Sequence, residues 1–150
     1  MPLSDHRQVI LLSAASGTVW AGIAVLLGWP MFSGIVWGGV AVAPLIGVLV
    51  GCGAARFPTG LLPRALFSLL SLYVAAALFG AGMGAADLLV GQNSGPGWRT
   101  IPSAVILQNV AATLWGITFT GYLFLLWPLS YANHHLLSQA WGAAKSHQPA

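Results

Sequence analysis

The sequence predicts an all-α polytopic membrane protein, a four-transmembrane-helix bundle followed by a short C-terminal interfacial helix. Three observations predict it. Of 150 residues, 57% are hydrophobic and only 5% are charged, where soluble domains carry roughly 25% charged residues. Mean hydropathy is +0.83. Apolar runs of about 20 residues, the length that crosses a bilayer as a helix, recur between short breaks rich in Gly and Pro. So little charge cannot keep a globular surface in water. Residues 1–150 are therefore expected to form a single integral-membrane domain.

The first apolar run covers residues 8–28. A secretory signal core is only about 7–15 residues long, so this run is expected to stay as the first span. Pro30 is suited to start a helix, because its missing N–H needs no partner there. The second span is expected over 31–55, with a kink at Pro44. Pro58, Gly60 and Pro63 break the chain within 56–64. The third span is expected over 65–91, and the polar loop 92–100 follows. The fourth opens with Pro102 in its first turn and is expected to run over 102–127, where Pro128 bends or ends it. Over 129–145, Leu136, Leu137, Ala140 and Trp141 recur at helical spacing, which predicts a helix lying in the headgroup region.

Charge sets orientation. The formal net charge is +3, but five basic residues spread along the chain make no nucleic-acid patch. They serve topology and contact with anionic headgroups. Four spans place Arg7, Arg56, Arg64 and Lys145 on one side and Arg99 on the other. The positive-inside rule then puts both termini in the cytoplasm. Abundant Gly and Ala suggest a bacterial inner (cytoplasmic) membrane. The single cysteine, Cys52, excludes an intrachain disulfide and a CxxC redox pair.

Lipid supplies no hydrophobic drive between spans, so helices associate where small residues let backbones approach. Gly34 and Gly38, Gly47 and Gly51, and Gly80 and Gly84 form such pairs, and Gly116 offers a further small site. Tyr73, Ala77, Gly80, Gly84 and Asp87 share one helix face; Asn109, Thr113, Gly116 and Thr120 share another. Matched antiparallel, the two faces are expected to set Tyr73 near Thr120 and Gly80 near Gly116. The same register sets Asp87 near Gln108 and Asn109.

Asp87 is the one carboxylate in the apolar part of the chain, and ionisable groups inside spans mark partners or pathways. Three roles compete for it. In one, the carboxylate is held structurally by Gln108, Asn109 or Arg99; in the second, the polar cluster is a proton or cation site; in the third, the carboxylate contacts a partner subunit or a headgroup. His134 and His135 point about 100° apart on a helix, a poor bidentate pair, and are expected to be interfacial. Ser and Thr residues have no adjacent base. No catalytic set, metal site or cofactor is expected. Two functions remain. The first is a non-catalytic small subunit or scaffold packing against other integral-membrane proteins. The second is a homo-oligomeric channel or transporter using Asp87, Gln108 and Asn109. The bilayer itself, and other membrane subunits or a second copy, are the expected partners.

Overall fold

The computed structural model describes residues 3–28, 36–56, 58, 60–90 and 101–146. These form five helices and, among the described residues, no strand. They are α1 (Leu3–Gly28), α2 (Val36–Ala54), α3 (Leu61–Val90), α4 (Pro102–Phe119) and α5 (Leu123–Ser146). The first three are long and apolar enough to cross a membrane. Helices α4 and α5 meet that test together, although the chain bends by 100° between them. The protein thus has three candidate spans, or four if the bent pair counts as one.

The first half of the chain follows its apolar pattern closely. α2 runs unbroken through Pro44, as helices in lipid can when neighbours satisfy the freed backbone groups. α3 starts earlier than expected, at Leu61, after Gly60 adopts a positive φ of 96°. Arg64 then falls inside its first turns and donates from Nε to Pro58 O at 2.8 Å.

The second half departs from the pattern. The fourth helix ends at Phe119, not near Trp127, and Pro128 lies inside α5. The break falls at Gly121, whose φ is 79°, a left-handed conformation that glycine adopts without steric cost. Thr120 N–H bonds back to Gly116 O at 3.2 Å and closes α4. Phe124, Leu125 and Leu126 N–H groups find the carbonyls of Gly121 and Tyr122, so α5 begins with its early donors satisfied. Pro128 then leaves only the Phe124 carbonyl without its helical donor.

Helices α1 to α4 pack in chain order, each against the next, and so form a row. α1 approaches α2 closely, α2 approaches α3, and α3 approaches α4. Among the described residues, α1 makes no such close approach to α3 or α4. α5 crosses the row at the end where α1 and α3 begin and α2 finishes. Trp127 Nε1 donates to Ala65 O at 2.9 Å, and Ser130 Oγ to Ser68 O at 3.0 Å. Further along, Ser16 Oγ donates to Asn133 Oδ1 at 2.8 Å, and Trp141 Nε1 to Gly51 O at 2.8 Å. The side that α5 presents to the row is therefore partly polar.

Glycines set the closest approaches. A Cβ on Gly47 would lie 2.7 Å from Gly17 Cα, and one on Gly51 would collide with the Ser13 side chain. Gly38 faces Gly82 O and Ala86 across the α2–α3 contact. On the other side of α3, a Cβ on Gly80 would meet Val110 Cα at 2.8 Å, and one on Gly84 would meet Ile106 Cα at 2.7 Å. Gly34 lies outside the described residues. Gly116 is not a packing glycine: nothing stands within 4 Å of its would-be Cβ.

Candidate functional site

Among the described residues, Asp87, Gln108 and Asn109 are not drawn together. Gly80 beside Val110, Gly84 beside Ile106, and Tyr73 OH hydrogen-bonded to Thr118 Oγ1 at 3.0 Å define the α3–α4 register. That register differs from the expected one by up to about one and a half turns. It sets Asp87 level with Ser103, roughly 8 Å along the axis from Gln108. Asn109 is buried, but its Nδ2 donates to Val105 O of its own helix at 3.0 Å. Gln108 is exposed and Asp87 half-buried. Neither makes a hydrogen bond or ion pair with another described residue. Arg99 lies outside the described residues. The physical reason for the shift is that contacts between backbones, which glycine permits, outweigh a hydrogen bond between spans of about 0.6 kcal/mol.

A concave feature lies elsewhere, within the row. It is a cavity of about 160 Å³ to which all five helices contribute. Trp20, Ile23 and Leu27 of α1 form one wall, and Gly116 and Ile117 of α4 face them. Phe79 and Met83 of α3 and Ile46 of α2 form its back. Since α1 and α4 do not approach closely among the described residues, the two walls enclose a cleft between helices.

Polar side chains on the lining come from α1, α3, α4, the α4–α5 turn and α5, and include Ser71, Thr120 and Tyr122. Ser130, Asn133 and His134 line the cavity together with Ser16 of α1 and Thr113 of α4. Their geometry is largely fixed. Thr113 Oγ1 donates to Asn109 O at 2.8 Å. His134 is almost fully buried, its Nδ1 lies 2.8 Å from Ser130 O, and its ring stands edge-on to Phe67 at 5.5 Å. A carbonyl can only accept, so Nδ1 carries the imidazole proton. Asn133 accepts from Ser16 through Oδ1, while its amide nitrogen makes no hydrogen bond to another described residue. The site thus joins an apolar hollow to one fixed carboxamide with N–H donors to spare.

Sequence patterning does not single out Ser16, Ser130 or Asn133. It expected both histidines at the interface, yet His134 is buried while His135 is half-exposed with its Nε2 3.1 Å from Gln139 Nε2. A signal was present: Leu126, Ser130, His134, Leu137 and Trp141 fall at spacings of three and four, hence on one face. Among the described residues, no group of three or more His, Cys, Asp or Glu side chains could hold a metal ion.

Comparisons with protein-family models, with curated proteins and with solved structures gave no match.

Proposed function

We propose that the protein is a non-catalytic small integral-membrane subunit that packs against other membrane proteins. The observation that carries this reading is the open row of helices. α4 is held laterally by α3, and its outer face presents Leu107, Trp115 and Phe119 to the surroundings. Trp115 and Phe119 stack on one another at 4.1 Å between ring centres. They make a rigid aromatic ridge of the kind that anchors protein interfaces.

Most polar side chains within the helices serve the fold. Ser13, Thr18, Ser68, Thr113 and Thr118 each donate to a carbonyl of their own helix. That pattern supports a packing role over an enzymatic one. The transport reading, built on Asp87, Gln108 and Asn109, lacks the same support because those side chains stand apart. The proposed setting is a bacterial inner membrane with both termini cytoplasmic.

Purification in mild detergent tests the reading. The expected result is an unrelated membrane protein retained at fixed stoichiometry and lost on Trp115→Ala with Phe119→Ala. A homogeneous self-assembly would favour the homo-oligomeric alternative, and a monodisperse monomer would overturn the subunit role.

A further inference from the structure

We propose that the cavity among the five helices is a binding site for a lipid-soluble carbonyl compound drawn from the bilayer. The size comes first. A void of about 160 Å³ is close to the ~150 Å³ at which an engineered apolar cavity takes up benzene. It holds one six-membered ring or a short stretch of acyl chain. Leu107, Trp115 and Phe119 do not belong to its lining. The site is thus separate from the partner-facing α4 ridge, and its occupancy does not depend on the subunit reading.

The lining chooses the chemistry. Trp20, Phe79 and Met83 offer aromatic and thioether surface to an apolar body. At the rim, Asn133 is held by Ser16 through its oxygen, which leaves its N–H donors for a ligand oxygen. A carbonyl or carboxyl group is the matching acceptor. The cavity is only partly enclosed, so a tail longer than the hollow can extend out of it. A quinone ring and a fatty-acid headgroup satisfy these demands equally, and both are membrane-soluble.

Quenching of Trp20 fluorescence in nanodiscs separates the two sources. One arm uses a short-chain benzoquinone and the other a fatty acid carrying a nitroxide near its carboxyl group; each quenches an indole that it touches. The quenching owed to Trp20 is the difference between the parent protein and Trp20→Phe. Saturation of that difference by either probe supports the site and identifies the class that fits, and saturation by neither overturns it. Gly116→Leu has open space around its new side chain and should abolish saturation by filling the cavity. Ala112→Leu, also on the lining, should repeat the effect independently. Gly22→Leu, open but outside the cavity, should leave saturation intact. Asn133→Leu should weaken binding roughly fivefold, as loss of one hydrogen bond does. Quenching that rises linearly with probe and is identical in all variants would mean simple partition into lipid, and would overturn the proposal. Saturation unaffected by Asn133→Leu would overturn the assignment of the carbonyl to that amide.

Discussion

Gly80 of α3 lies against the backbone of Val110 in α4, so closely that a methyl group there would meet Val110 Cα at 2.8 Å. One turn further along, Gly84 lies against Ile106 Cα in the same way. The obstacle at both sites includes backbone, which cannot rotate aside as a side chain can. Gly84→Leu should therefore force α3 and α4 apart and cost at least about 1–3 kcal/mol, the usual range for overpacking. Leu89→Ala removes a side chain that is 88% exposed and should change stability by less than about 0.5 kcal/mol. Reversible unfolding in mixed detergent micelles measures both. Equal losses would mean that α3 presents a different face to α4.

The α1–α2 contact makes a sharper test of coupling. Gly17 and Gly47 oppose each other, and a Cβ on either would lie within 3 Å of the other's Cα. Gly17→Ala and Gly47→Ala should each be destabilising. The first substitution already separates the helices, so the second should add much less than its own cost. Contacting residues depart from additivity by about 0.5–3 kcal/mol. Strict additivity in a double-mutant cycle would rule out direct opposition.

How far the sequence was legible depends on the scale of the feature. Hydropathy alone marks α1 and α3 to within about a turn and a half, and α2 at its C-terminal end, because local composition decides where a long apolar helix runs. The expected start of the second span lies outside the described residues. Hydropathy misplaces the end of α4, since Pro128 looks the stronger breaker. A proline early in a helix costs one backbone bond, whereas Gly121 in a left-handed conformation redirects the whole chain. The α3–α4 register was missed for a related reason. Matching Asp87 to Gln108 and Asn109 favoured polar pairing, while the glycine contacts at Val110 and Ile106 fix the register instead. The cavity was illegible. It is defined by Trp20, Met83, Gly116 and Asn133, residues on four helices that no sequence spacing relates.

Asp87 makes no hydrogen bond or ion pair with another described residue, so no described contact depends on its charge. Asp87→Asn should alter stability by less than about 0.5 kcal/mol. If the carboxylate served ion movement, the same variant would abolish a proton or cation flux in proteoliposomes. The subunit reading expects no flux from either protein. A proton leak seen only with Asp87 intact would revive the transport alternative.

Orientation can be tested without a partner. Arg7, Arg56, Arg64 and Lys145 against Arg99 give a bias that should hold both termini in the cytoplasm. Reporter fusions at Ala150 and within residues 92–100 should report opposite sides of the membrane. A fusion at Ala150 active outside would mean that α4 and α5 together do not make a single crossing.

The last expectation concerns what holds α5 across the row. Two indoles donate to backbone carbonyls of other helices: Trp127 Nε1 to Ala65 O at 2.9 Å and Trp141 Nε1 to Gly51 O at 2.8 Å. Gly51 lies in the last turn of α2, where carbonyls run short of helical donors. Its other donor, Ala55 N–H, is longer, at 3.3 Å. Removing the indole N–H thus leaves that carbonyl with one weak bond. Trp127→Phe and Trp141→Phe keep aromatic bulk and delete the donor, so each should cost about 1 kcal/mol. The two sites are separated along α5 by roughly 21 Å at 1.5 Å rise per residue, so the double variant should be additive. The losses should appear as faster amide hydrogen exchange within α5, with α2 and α3 little changed, because local opening follows the weakest attachment. Exchange across α5 that is unaltered in the double variant would show that Ser130, Asn133 and apolar packing hold the helix without the indoles.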